Sequence, residues 1–525
     1  TLELVRLETE ELLSTSFLDG APIVAVSSKT GEGVSEVRQA LLGMAAQAGW
    51  RESTGSVRLP IDRSFSVKGF GTVVTGTLVS GRITVDSTLR LLPAGRDIKI
   101  RGLQVHGESR RLAVSGQRVA VNLSGVEVSE VARGDTVVSP GRFKATRRLD
   151  VSLHVLPSAR RLRHGARVRF HQGTSEVLGR VALGPILGNP SAAVDAPSEL
   201  QSDGRAFARI RLEAPAILTR GDRFILRAYS PPLTIAGGYV IDPQPPSGGV
   251  RTAAARARLL QLQVGTTSDD QMDQEQAVQL LVEERGLTGL SIFELYTRWG
   301  LAKETAEALV KRMEALGTLR RIGELLVATG ALAEVGERLV SMVTDFHAQE
   351  PLGEGAPREE LRERLFRRAG AAVFDAVLDT LVSDNRLVAR DRVALAGHEV
   401  VLSAEEQRVS DAALTLLRGA GLSPPAPAAV AGRLDCDPAL LDRVLLLLVR
   451  REELTRVGTL VFDRRALERL EAEVRALNTG TEPTRIDVAT FKDRYEISRK
   501  FAIPLLEYLD RERVTRRVGQ QRIVL

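Results

Sequence analysis

The sequence predicts a multidomain protein: a short α/β segment, two small β-barrels, and then four helix-turn-helix modules, each closed by a β-hairpin wing. Three observations predict it. At 525 residues, against the roughly 150 typical of one domain, a single core is excluded. From about 57 to 245, apolar and polar residues alternate, as in Val151-Ser152-Leu153-His154-Val155 and Ala208-Arg209-Ile210-Arg211-Leu212, which puts every second side chain on one face of a strand. Beyond 252 the spacing turns helical and one unit recurs four times.

Residues 1–48 read as a helix, a short buried strand Pro22-Ile23-Val24-Ala25-Val26, a Gly-rich turn and a second helix with Val34, Val37, Leu41 and Met44 at helical spacing. This αβα piece is too short to bury both faces of a strand by itself, and is expected to be the last unit of a larger α/β domain. The turn Ser27-Ser28-Lys29-Thr30-Gly31 lies where a βα loop can offer backbone N–H groups to a ligand, or can equally be an ordinary helix cap.

Between 57 and 245, Gly and Pro punctuate the strands every 8 to 15 residues or so, the spacing of small barrels or sandwiches. Two barrels fit, meeting near Pro140 to Arg148. The run Asp242-Pro243-Gln244-Pro245-Pro246-Ser247-Gly248-Gly249 forbids regular structure and is expected to be a linker. In the helical part, the wings begin at Leu319, Leu387, Leu454 and Val514, spaced by 68, 67 and 60 positions. Gly323, Gly458 and Gly519 stand where a tight hairpin turn needs positive φ, whereas the second unit has Asp391-Arg392.

Composition narrows the chemistry. Only 8 of the 72 basic residues are lysine, leaving 64 arginines, and against 66 acids the formal net charge is +6. Nucleic acid is a reasonable partner for such a chain. The single cysteine, Cys436, excludes an intrachain disulfide, and the longest apolar runs fall far short of the ~18 residues of a membrane span. No Gly-Lys pair occurs, so a P-loop is absent, and no His-Glu-x-x-His motif is present. No catalytic residue and no metal site are expected.

The most basic segment is the last. From Arg485 to Leu525, ten bases face six acids. Ser498 is a candidate N-cap, which puts Arg499 and Lys500 on the first turn of a helix, where side chains and N–H groups meet phosphate. Lys492 and Arg494 precede them, and the wing adds Arg516, Arg517 and Arg522. Arg-rich wings and helix starts suit RNA stem-loops; a solvated face of alternating charge is the alternative. Pro504 is expected to kink this helix or delay its start.

The run Ile61-Asp62-Arg63-Ser64-Phe65 through Gly69-Phe70-Gly71-Thr72-Val73-Val74-Thr75-Gly76-Thr77 resembles the second domain of translational GTPases, most closely that of the bacterial selenocysteine-specific elongation factors. Gly116-Gln117-Arg118, Arg133-Gly134-Asp135, Val168-Arg169-Phe170-His171-Gln172-Gly173-Thr174 and Gly221-Asp222-Arg223-Phe224-Ile225-Leu226-Arg227 extend the likeness through a third domain, and the four modules resemble the family's winged-helix extension. The resemblance thus implies a fold of an α/β remnant of a GTP-binding domain (1–50), two β-barrels of the translational elongation factor type (57–143 and 147–245) and four winged-helix modules (255–330, 333–400, 404–465 and 466–525). Ser27, Ser28 and Lys29 stand at the family's guanine-contacting turn. The P-loop, the switch regions and the Asn-Lys-x-Asp motif are missing, so GTP and Mg are implied for an intact protein and no cofactor for this fragment.

In the family, the first barrel receives the aminoacyl end of selenocysteinyl-tRNA. Asp62, Arg63 and Arg118 match that pocket, where fixed arginine charge favours a readily ionised selenol and Asp62 can orient a guanidinium through a bidentate pair. The last module binds a hairpin in the message near a recoded UGA codon. The resemblance therefore implies cytoplasmic, GTP-dependent delivery of the charged tRNA to the ribosome, with no membrane partner. A winged-helix DNA-binding regulator and another translational GTPase are the alternatives.

Overall fold

The computed structural model describes the chain apart from residues 15, 48–54, 188–196, 265, 267–270, 351, 399–401, 479–483 and 520. It divides into two compact units, Thr1–Leu281 with Leu290–Leu316, and Val282–Gly289 with Gly317–Leu525. The boundary falls within the segment expected to form the first module, leaving most of its helical residues in one unit and its wing, with Val282–Gly289, in the other.

In the first unit, helices Leu2–Leu13 and Val34–Gln47 flank the turn at Ser27 and bury no residue. The expected strand at Pro22–Val26 does not form: these residues carry no strand structure, and Val26 is 56% exposed. A strand exists only through a hydrogen-bonded neighbour, and among the described residues none pairs with this segment. The turn is nevertheless held: Gly31 N–H donates to the Ser27 carbonyl at 2.8 Å, and Ser27 N–H to the Glu32 carbonyl at 2.9 Å. Residues 48–50, the end of the expected remnant, lie outside the described set.

Both barrels are present and closed. The first runs Thr88–Leu92, Thr136–Val138, Arg58–Val67, Gly71–Thr77, Arg118–Ser124, Arg96–Val105, with the last strand pairing back to the first. Leu59, Ile61, Val74, Ile98, Val119 and Val121 fill it. The second runs Ala145–Val155, Arg205–Ile217, Ser175–Ile186, Arg167–Gln172, Arg223–Ala228, Thr234–Asp242 and closes in the same way. Its core includes Leu149, Val151, Phe170 and Phe224, the two rings stacking at 5.1 Å. The inward residues are those that the period-2 pattern selects.

Helix Ala253–Gln263 and helix Ile292–Trp299 sit on the second barrel through buried charge. Asp242 accepts from Arg258 and Arg298 at 2.5 Å each, and Asp150 from Arg209 at 2.6 Å. Burial pushes the Asp242 carboxyl up, but the Arg298 and Arg258 guanidinium groups outweigh it and hold it below the usual carboxylate range.

In the second unit, hairpins Leu319–Ile322/Leu325–Ala328, Leu387–Ala389/Arg392–Leu395, Leu454–Val457/Leu460–Asp463 and Thr515–Val518/Gln521–Val524 stand where the repeat placed them. Gly323, Gly458 and Gly519 turn at φ 61, 63 and 65°. The wings are not confined to their own modules. Val327 joins the core around Phe374, and Val457, Leu460 and Phe462 join the core around Phe491 and Leu505.

The last helix, Arg499–Arg511, starts at Arg499 and continues past Pro504, so it does not start late. Ala502, Leu505, Leu506 and Leu509 are fully buried, and that apolar burial offsets the roughly 3 kcal/mol that an interior proline costs. Ser498 is the N-cap by position, but its side chain makes no capping hydrogen bond.

Candidate nucleic-acid interface

Strand register assembles a single outward face on the first barrel. Arg63 lies opposite Thr75, Thr75 opposite Ala120, and Ala120 opposite Gln104; the next row is Phe65, Val73, Asn122 and Gly102. A bulge between Ile61 and Arg63 sets Asp62 out of the ladder, the usual way a strand re-aims a side chain. Gly76, opposite Ile61, has no room for a Cβ, which would lie 2.2 Å from the Pro60 carbonyl oxygen.

Asp62 accepts a bidentate pair from Arg118, Nη1 to Oδ2 at 2.7 Å and Nη2 to Oδ1 at 3.1 Å, and a bond from Thr75 Oγ1 at 2.7 Å. Burial pushes this carboxyl up; the Thr75 and Arg118 hydrogen bonds and the charges of Arg118 and Arg63 together hold it below its usual range. The Arg118 side chain is 56% exposed and Arg63 is exposed beside it.

The adjoining row opens into a cavity of about 390 Å³ lined by Phe65, Val67, Phe70, Val73, Arg101, Gln104, Arg110 and Asn122. Asp62, Arg63 and Arg118 are its neighbours on the sheet and not its walls. The Asn122 Oδ1 is buried with no hydrogen-bond partner, and Phe65 and Phe70 are 41% and 61% exposed. Aromatic faces, an unsatisfied amide oxygen and guanidinium groups together can stack a base, read its edge and hold phosphate. Sequence reasoning missed these lining residues; the available signal was one phenylalanine, Phe65, on the strand before the Gly69–Gly71 turn and a second, Phe70, within it.

A second basic face lies on the second barrel. Arg169 stands directly opposite Arg227 across paired strands, a like-charge juxtaposition that is unfavourable by itself. The Arg167 and Arg169 guanidinium groups lie 4.7 and 5.7 Å from the Tyr229 ring centroid. Arg227 Nε, His171 Nε2 and Thr174 Oγ1 are buried without partners. Burial and the Arg227, Arg169 and Arg133 charges push the His171 imidazole down, against the upward pull of Glu176.

In the last module Lys492, Arg494, Arg499, Lys500, Arg516 and Arg517 are all exposed. Lys492 and Arg494 end helix Val488–Arg494, whose Asp487 cap accepts from Thr490 N–H at 2.8 Å. Arg516 and Arg517 lie on the first wing strand. Arg522 differs. It is 5% exposed and its Nε donates to Asp510 at 2.8 Å, while Thr515 Oγ1 donates to the same carboxylate at 2.6 Å. The structure places it as a brace under the wing.

Ser27 is partly buried in its turn, and Ser28 and Lys29 are exposed. No group of three His, Cys, Asp or Glu residues able to hold a metal ion occurs among the described residues, nor any helix long and apolar enough to cross a membrane.

Four family models match the chain. They are "Elongation factor Tu domain 2" at residues 71–138, "Selenocysteine-specific elongation factor, beta-barrel domain" at 146–247, and two described as "Elongation factor SelB, winged helix" at 340–394 and 481–524. A selenocysteine-specific elongation factor from Desulfomicrobium baculatum is 30% identical over 530 residues, covering 99% of this chain and 80% of that protein. The one from Escherichia coli is 26% identical, covering 99% and 78%. Among solved structures, the fold is similar to that of a bacterial selenocysteine-specific elongation factor, with a TM-score of 0.57 at 21% identity over 100% of this chain and 79% of the other.

Proposed function

The chain belongs to the selenocysteine-specific elongation factor family, and from that premise we propose that its first barrel receives the aminoacyl end of selenocysteinyl-tRNA while its last module holds a hairpin in the message. The observation that carries the reading is the shared outward face of the first barrel. The Arg118–Asp62 pair and Arg63 lie one strand row from a cavity suited to a nucleotide. A terminal base enters between Phe65, Phe70 and Val73 and meets Asn122 Oδ1, and the ester-linked side chain then falls beside Arg63 and Arg118.

Specificity follows from charge. A selenol ionises more readily than a thiol or a hydroxyl, so a selenolate gains from two guanidinium groups where a seryl hydroxyl does not. Asp62 fixes Arg118 in one orientation, which lowers the entropy lost on binding. The Arg169 and Arg227 face of the second barrel holds RNA phosphate, which relieves its like-charge cost. At the far end, Arg499 and Lys500 on the helix start and Arg516 and Arg517 on the wing grip the hairpin, with Lys492 and Arg494 alongside.

Holding both RNAs on one chain raises the local concentration of the charged tRNA at the recoded codon. GTP and Mg belong to the delivery step at the ribosome, in the cytoplasm. The residues present offer no phosphate cradle, since no Gly-Lys pair occurs, and Ser27, Ser28 and Lys29 would supply contacts to a guanine edge alone. The test is a titration of selenocysteinyl-tRNA against seryl-tRNA, and of an RNA hairpin against duplex DNA. Equal affinity within the first pair sinks the pocket, and equal affinity within the second favours a DNA-binding regulator.

A further inference from the structure

A further cavity lies on the second barrel. Its volume is about 630 Å³, and His154, Arg205, Arg223, Gly237, Tyr239 and Gln263 line it. In the ring of six strands, Ala145–Val155 and Thr234–Asp242 form its floor, and Ala145–Val155 is on the opposite side from Arg167–Gln172, which carries Arg169; strand Arg223–Ala228 contributes Arg223 here and Arg227 to the Arg169 face. Two rows of outward side chains cross that floor. Arg205 stands opposite His154, and His154 opposite Gly237; Ser152 stands opposite Tyr239, and Tyr239 opposite Arg223.

Charge distinguishes this hollow from an ordinary surface dent. Three other arginines of the barrel pair with carboxylates, Arg209 with Asp150, Arg167 with Glu213 and Arg169 with Glu176. Arg205 and Arg223 face one cavity from its two flanks, and no carboxylate pairs with either among the described residues. The nearby Asp203 carboxylate is already engaged by His154 Nε2 at 2.7 Å. Two uncompensated guanidinium groups around one concave site create a positive potential that an oxyanion relieves.

The remaining walls suit the same ligand. Tyr239 Oη accepts a hydrogen bond from Gln263 Nε2 at 3.0 Å, which leaves the phenol proton free to donate. Gln263 closes helix Ala253–Gln263, and that helix is fixed by Arg258 on Asp242 at 2.5 Å and by the Arg220 guanidinium on the Leu262 and Val264 carbonyls. The wall is therefore set before any ligand arrives. Gly237 leaves the floor open. A Cβ there would have the Phe224 carbonyl oxygen as its nearest atom, at 3.4 Å, an ordinary contact, so the gap is space that a side chain could fill. Leu156 and Leu187 add apolar edges.

We propose that this cavity is a phosphate-binding site that takes the phosphate of a nucleotide, with Arg205 and Arg223 clasping its oxygens, Tyr239 donating a third bond and the apolar edges covering the sugar or base. Its size is that of a small-ligand pocket, roughly 300 to 1,000 Å³. The site is independent of the delivery reading above, because it uses none of the residues assigned to either RNA.

The test is calorimetric titration of the full chain with inorganic pyrophosphate, with adenosine and guanosine monophosphate, and with a short single-stranded RNA. Arg205→Ala with Arg223→Ala removes the clasp; Gly237→Val fills the floor while keeping both charges. Each is expected to weaken binding by about tenfold or more, with the thermal unfolding midpoint unchanged. Binding of pyrophosphate or a monophosphate identifies a free nucleotide as the source, and binding of the oligomer alone identifies a strand's phosphodiester. Undetectable binding of every probe, or equal affinities in the wild-type chain and both variants, overturns the assignment.

Discussion

Arg58 on the first barrel and Asp222 on the second form a two-point ion pair, each guanidinium Nη lying 2.7 Å from a carboxylate oxygen. Arg58 is 4% exposed, and it also donates to the Ile217 carbonyl at 2.8 Å and to Thr219 Oγ1 at 3.1 Å. Asp222 in turn accepts from Thr219 N–H at 2.8 Å. The two barrels, and with them their RNA faces, are fixed to one another through this pair and the apolar contact of Leu92, Val138, Phe143 and Ile217.

Arg58→Ala should therefore cost about 2–4 kcal/mol of unfolding free energy, because it leaves a largely buried carboxylate without its charged partner and removes the donor to the Ile217 carbonyl. Denaturant unfolding measures it. A loss below about 1 kcal/mol would mean that the apolar contact alone holds the barrels.

Arg118→Ala and Arg63→Ala should each reduce discrimination between selenocysteinyl-tRNA and seryl-tRNA by roughly one to two orders of magnitude, the scale of a lost charge-assisted contact. Asp62→Asn should fall between these and the wild type, since it frees the guanidinium without removing it. Competition binding with both charged tRNAs distinguishes the cases; affinities that fall equally for the two would place these residues outside the amino-acid pocket.

Phe65→Ala should behave differently. Loss of a stacking surface costs about 1–3 kcal/mol per base, and the base is common to both tRNAs, so affinity should drop for each with their ratio preserved. A changed ratio would argue against a nucleotide in the cavity beside Asn122.

Arg516→Ala with Arg517→Ala should lower affinity for an RNA hairpin and reduce its salt slope by about two, one for each phosphate contact removed. Arg522→Ala should instead destabilise the module, since it strips Asp510 of its buried partner. Hairpin titrations at several salt concentrations, paired with thermal unfolding, separate the two behaviours.

The second module should weaken in mild acid. The rings of His347 and His398 stack with centroids 3.5 Å apart, and His347 Nε2 accepts from the Leu395 N–H at 3.3 Å. Burial, and then the His398 charge, push the His347 imidazole down. A histidine lowered on folding contributes stability that is present above the unfolded value of about 6.5 and is lost as pH falls through the folded one. Hydrogen-exchange protection in hairpin Leu387–Ala389/Arg392–Leu395, taken relative to the intrinsic rate at each pH, should fall as pH drops below about 6.5; His347→Phe should remove that dependence, and its persistence in the variant would assign it elsewhere.

Local pattern was enough for much of the architecture. Period-2 alternation marked Val151, Leu153 and Val155 as core, the recurrence at Leu319, Leu387, Leu454 and Val514 located four wings, and Gly323, Gly458 and Gly519 located three of their turns. These follow from the sequence because strand alternation, hairpin turns and capping depend on residues a few positions apart. Pro22–Val26 shows the limit: an apolar β-branched run is a strand only when another strand lies beside it.

What only the tertiary structure decided is which charges are free. The sequence offers Arg516, Arg517 and Arg522 as equals, yet the fold buries the last against Asp510 and leaves the other two in water. It also brings Phe65, Asn122 and Gln104 into one cavity across more than fifty positions of chain, and turns Arg118 onto Asp62. Desolvation and pairing are set by neighbours distant in sequence, so a guanidinium's availability to RNA is a property of packing that no local pattern encodes.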